Sequence, residues 1–209
     1  MSIGKLLMGM IFGLQTISDE NIEKIIDTPL LIWRFTAPDD PSVYIEEVKR
    51  SRKGFFSRLF SKKDKIDNID VPLLEYKDGE GLDIDLDKAW HGLHYLFTQS
   101  EWEADPPLNF ITSGGKDVGN IDIGYGTWRV LTSKDVSQID KALEQIDHDY
   151  LRKRFNPDDM MKKKIYPEIW NRDLEEDDSL GYCLEYFDIL KVFIHKAVEN
   201  RLGLLLSFS

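Results

Sequence analysis

The chain has 209 residues and a mass of 24.3 kDa, the size of one ordinary domain. Its 42% hydrophobic and 31% charged residues can build a packed core, which excludes wholesale disorder and fibrous architectures. Carboxylates outnumber cations 38 to 27 for a net charge of −11, and the single cysteine, Cys183, excludes a disulfide framework within one chain and a cysteine-based zinc site.

In chain order, the apolar residues 6–14 follow a lone lysine, yet no small-residue cleavage site comes after them. A buried strand is therefore expected there rather than a signal peptide. No apolar run reaches the roughly 20 residues that span a bilayer, and the expected location is the cytoplasm, where an unpaired cysteine is at ease. Ser18 is placed to cap a short helix over residues 19–27, with Ile22, Ile25 and Ile26 on one face and a stop at Thr28-Pro29.

Periodicity is poor from residue 30 to 80. Inside that stretch lies the sharpest change in composition. Segment 49–65 sets Lys49, Arg50, Arg52, Lys53, Arg58, Lys62, Lys63 and Lys65 against Asp64 alone, a local charge of +7 that leaves −18 on the rest. Phe55, Phe56, Leu59 and Phe60 interleave at the spacing of an amphipathic helical face. One reading is an anionic-surface contact through Arg52, Lys53, Phe55, Phe56, Arg58, Lys62 and Lys63. The other, preferred here, is a solvated excursion that folds back on the acidic body. One short cluster binds a membrane weakly. A body at −18 repels phosphate, so nucleic acid is not an expected partner.

Asp85 is the expected cap of a helix in which Leu86, Trp90, Leu93 and Phe97 share a face, ended by Thr98-Gln99-Ser100. Residues 108–112, bracketed by Asp105-Pro106-Pro107 and Ser113-Gly114-Gly115, have no clear type. Residues 123–131 read as a strand. Thr132-Ser133-Lys134-Asp135 opens the next helix, with Val136, Ile139, Leu143 and Ile146 at helical spacing. Short helices follow at 149–155 and 157–164, broken at Tyr166-Pro167-Glu168. An acidic loop, 173–178, precedes the longest helix, 180–199, striped by Leu184, Phe187, Leu190, Ile194 and Val198. An apolar strand closes the chain at 202–208. There is no internal repeat. The expected fold class is α+β: a single compact domain in which a small mixed sheet including both terminal strands packs with several helices.

Four segments together resemble the YfbM-like family, a bacterial domain class with no settled activity. They are Met8-Gly9-Met10-Ile11, residues 85–98 around Trp90-His91-Gly92-Leu93-His94, residues 124–132 from Gly124-Tyr125-Gly126 to Thr132, and Ile165-Tyr166-Pro167-Glu168-Ile169-Trp170 with the helix and strand after it. Trp128 stands where that family's pattern leads one to expect a small residue. The resemblance implies one cytosolic domain over residues 8–209, with residues 1–7 as an N-terminal extension and 49–65 as a basic insertion. It carries no activity over to this chain.

The residues themselves offer few reactive sets. His91 and His94, three apart on one helix with Asp87 a turn earlier, could form a two-histidine metal site or an acid–base pair. The plainer reading has His94 at the edge of the core, bonded to a backbone carbonyl. Arg129 should face away from Trp128 and Val130, where it could meet an anion near His94, Tyr125 and Tyr166 or pair with a carboxylate. Gly124-Tyr125-Gly126 matches neither phosphate-loop pattern and suggests a bulge. Cys183 reads as a small buried hydrophobe. The carboxylate pairs and runs lack the order of a calcium loop, so neither a metal nor a cofactor is expected.

The leading expectation is a non-enzymatic acidic module that binds a protein partner. Its concrete form is immunity- or antitoxin-like masking of a basic toxin domain. The alternative is a small-molecule-binding or hydrolytic enzyme with a pocket around His94, Tyr125 and Arg129, completed by Asp87, Trp90, Tyr166 and neighbours such as His91 and Trp170. Membrane contact through the basic segment is the weakest expectation.

Overall fold

In the computed structural model, which describes residues 9–56, 69–122, 125–173 and 178–209, the run Leu204-Leu205-Leu206 lies at the centre of the molecule. It belongs to β5 (Gly203–Phe208), the middle strand of a five-stranded sheet ordered β2-β1-β5-β4-β3. The other strands are β1 (Phe12–Ile17), β2 (Asp83–Asp85), β3 (Lys116–Asp122) and β4 (Thr127–Leu131). A strand covered on both faces reads as a continuous apolar run because neither set of alternate side chains meets water. Leu204 and Leu206 enter one hydrophobic core and Leu205 the other.

The larger core lies between one face of the sheet and α4 (Ala89–Thr98), α5 (Ser133–Glu144), α6 (His148–Arg154), α7 (Pro157–Lys162) and α8 (Ser179–Glu199). The smaller is covered by α1 (Asp19–Asp27), a 3₁₀ turn at Pro29–Leu31, α2 (Ile32–Thr36) and α3 (Pro41–Phe56). The class is α+β as expected, with the two terminal strands β1 and β5 paired side by side. Every ladder is antiparallel, so the sheet is not of the mixed type expected.

Caps set most helix boundaries. Ser18 accepts the Asn21 N–H, Asn156 that of Asp159 and Asp178 that of Gly181. Thr132 and Asp135 form a reciprocal capping box at α5.

The Trp90 helix departs from its expected start. Asp87 adopts a left-handed backbone (φ 39°), and the Asp85 carboxylate accepts the Asp87 N–H at 2.9 Å. That local turn competes with helix, so α4 begins at Ala89. Of the expected strand at 123–131, Thr127–Leu131 form β4, the second strand of a hairpin, and residues 123 and 124 lie outside the described residues. β4 pairs with β3, and Tyr125 and Gly126 lie in the bend between them rather than in a strand bulge.

Helix α3 runs into the basic segment as far as Phe56. Of the anionic-surface contact, the side chains of Arg52, Lys53, Phe55 and Phe56, and all of Arg58, Lys62 and Lys63, lie outside the described residues. So do residues 1–7, Gly124 and most of the acidic loop. No described helix is long and apolar enough to cross a membrane.

Candidate functional site

The residues singled out along the sequence meet chiefly in one buried layer. Trp90 is fully buried; its indole Nε1 donates to the Met10 carbonyl at 3.0 Å. Its ring stacks on His91 (centroids 4.6 Å apart) and on Tyr166 (5.8 Å). The Tyr166 hydroxyl accepts the Met10 N–H at 2.9 Å, so the two rings together hold the chain entering β1. Trp170 donates to the Ile165 carbonyl at 2.7 Å, and its six-membered ring packs against α4 at Gly92. A Cβ on Gly92 would fall 2.4 Å from that indole and 2.9 Å from the Cys183 sulfur, which is why a glycine sits in the middle of this helix.

His91 has both ring nitrogens engaged. Nε2 lies 2.7 Å from the Glu101 carbonyl oxygen, and Nδ1 accepts the Tyr166 N–H at 2.9 Å. Those partners fix the tautomer with the proton on Nε2 and leave no lone pair for a metal. Burial holds its pKa below the ordinary histidine value. The carbonyl-bound histidine is thus His91, not His94 as expected.

His94 is fully buried, and among the described residues its ring nitrogens meet hydroxyls, Thr98 at 3.4 Å and Thr112 at 3.5 Å. Both hydroxyls already donate to carbonyls, of His94 itself and of Trp102. Burial, reinforced by the neighbouring His91, lowers its pKa to about 4.

Arg129 faces away from Trp128 and Val130, and among the described residues it makes no ion pair with a carboxylate, although Asp117 is near enough to act on its charge. Its guanidinium donates to the carbonyls of Phe110 (3.2 Å), Ile111 (2.7 Å) and Gly114. Those bonds fasten the 106–116 turn, which contains the segment 108–112 without a clear type, onto the sheet. Burial brings the Arg129 pKa down to about 10. Gly115, in a left-handed conformation (φ 95°), lets that turn pass within 2.9 Å of the Val130 carbonyl, measured from where its Cβ would stand.

Asp87 accepts the Tyr182 hydroxyl at 2.7 Å, and burial with this bond raises the phenol's pKa. Cys183 is fully buried, and burial raises its thiol pKa. Tyr125 is 41% exposed on the hairpin bend and does not belong to the buried layer.

A separate hollow lies elsewhere. A cleft of about 800 Å³ opens between α1, the 106–116 turn, the end of β4 and α5. Ile22, Ile26, Phe110, Val130, Leu131 and Ile139 line its apolar part. Glu23, Asp27, Asp135 and Lys116 also line it and give a local charge of −2. Asp135 is engaged in the α5 cap, whereas Glu23, Asp27 and Lys116 make no ion pair among the described residues. None of His91, His94, Tyr125, Arg129 or Tyr166 lines this cleft. A second, shallower hollow of about 390 Å³ is lined by Asp147, His148, Asp149, Phe187, Asp188 and Lys191, with His148 2.8 Å from Asp188.

The sequence reading missed the cleft because its walls come from three segments with no shared motif. Among the described residues no three His, Cys, Asp or Glu side chains cluster in a way that could hold a metal ion.

No functionally curated protein matches the chain. Among solved structures it resembles YfbM from Escherichia coli, described as a protein of unknown function, at 15% identity and a TM-score of 0.60; the match covers 95% of this chain and 99% of that one. At that identity the likeness speaks for the fold alone. The family model for a domain of unknown function, DUF1877, matches residues 8–207, and the chain belongs to that family.

Proposed function

We propose that the protein is a non-catalytic binding module whose acidic surface engages a basic protein partner. The observation that carries this reading is the division of labour among its ionisable groups. The imidazole of His91 and the guanidinium of Arg129 are bonded to backbone inside the fold. The phenol of Tyr182 is tied to Asp87. The excess carboxylates, by contrast, stand on the surface, as Glu23 and Asp27 do. Acidic domains of this kind speed association with a basic face by steering, and they mask it once bound. Immunity-like masking of a basic toxin cleft is the concrete form.

The enzymatic alternative has less support. It asked His94, Tyr125 and Arg129 to converge on one pocket, and the hydrogen bonds of Arg129 are already taken by three carbonyls.

An unbiased peptide-display selection against the folded protein at low salt tests the proposal. Arginine- and lysine-rich sequences are expected to be enriched, with saturable binding at one site. Enrichment of acidic or purely apolar sequences would contradict it.

A further inference from the structure

The cleft between α1, the 106–116 turn and α5 combines two properties that a solvated surface carboxylate lacks. Its floor is apolar, built from Ile22, Ile26, Phe110 and Ile139, and its edge on α1 carries Glu23 and Asp27. Those two are four residues apart, one above the other on a single helix face. Both are exposed, and neither has a cation within ion-pair distance among the described residues.

Asp27 also stands at the last position of α1. A carboxylate there faces the negative end of the helix dipole, an unfavourable place for it. Asp135 adds a third negative charge from α5, and Lys116 is the single opposing charge in the lining.

From this combination we infer that the cleft is a docking groove for a short cationic segment of a partner protein, one in which arginine or lysine alternates with an apolar residue. The apolar side chains and the methylene stems of the cations lie on the floor, and the charged heads reach the α1 carboxylates, as long basic side chains do at apolar surfaces. A cleft of about 800 Å³ is in the range that encloses a ligand rather than a flat contact. The inference rests on the binding-module reading and adds the site and the chemistry of what occupies it.

The test uses the full chain and three capped peptides in which leucine alternates with arginine, glutamine or glutamate. Binding is followed at low salt by calorimetry and by the backbone amide resonances. The arginine peptide is expected to bind most tightly and to shift the amides of Glu23, Asp27, Gly115, Lys116 and Gln138. The double variant Glu23→Lys/Asp27→Lys should weaken it about tenfold or more. Glu144→Lys/Glu185→Lys, an equal change of net charge on exposed positions outside the cleft, should alter it little. Lys116→Glu should tighten it. Thermal midpoints of all the variants check that each remains folded.

If both double variants weaken binding equally, the groove assignment is wrong while the acidic-module reading survives. If the glutamine peptide binds as well as the arginine peptide, the charge argument for the groove is wrong. If none of the three binds at low salt, both readings fall.

Discussion

Arg129 fastens three carbonyls of one turn to the sheet, and a side chain of similar length without donors abandons all three. Arg129→Met should cost about 3 kcal/mol, since charged hydrogen bonds are lost and carbonyls are left unsatisfied. A shifted urea midpoint at pH 7 reads this directly. Arg129→Lys should recover little, because an ammonium does not present the same fork of donors.

His94 gives a second prediction at this scale. Its pKa falls to about 4 in the fold against about 6.5 in an unfolded chain. Between those values the unfolded chain binds the proton and the native chain does not. Stability from this group is therefore full above pH 6.5 and declines as pH falls toward 4, by up to about 3 kcal/mol. Denaturant midpoints at pH 7.5 and 4.5 should differ more in the native protein than in His94→Gln. Equal differences would show that other groups govern the acid limb.

At the scale of elements, boundaries are legible where a local signal writes them. Ser18, Thr132, Asn156 and Asp178 each hydrogen-bond their own helix start. A cap needs only neighbours in sequence. Thr132→Ala breaks the capping box and should cost about 1 kcal/mol in chemical denaturation. Asp27→Lys should instead stabilise α1 by about 0.3–1 kcal/mol, because it places a cation where the dipole favours one.

The edge strands were illegible for the opposite reason. Asp83 and Asp85 of β2 are exposed, and β3 offers few apolar residues to an alternating pattern. A short acidic edge such as β2 also resists pairing with another chain. α2 and α3 escaped notice because their buried residues, Ile32, Phe35, Tyr44 and Val48, are shared among short or strongly charged helices.

At the scale of the whole molecule, the central apolar strand and the two-faced sheet follow from runs of leucine and from terminal strands that the sequence displays. The site does not. Spacing placed His91 and His94 on one helix but gave no sign that His91 would bind residues 101 and 166. Nor could it show that Glu23, Phe110 and Ile139 would face one cleft. Long-range convergence of this kind is set by packing of layers, which periodicity does not encode.

The proposed association with a basic partner draws on an excess of 38 carboxylates over 27 cations, and on that proposal it must weaken as salt screens it. The most direct measurement is the dissociation constant of a selected cationic peptide as ionic strength rises. The account predicts a steep, continuous loss of affinity. An affinity indifferent to salt would contradict it.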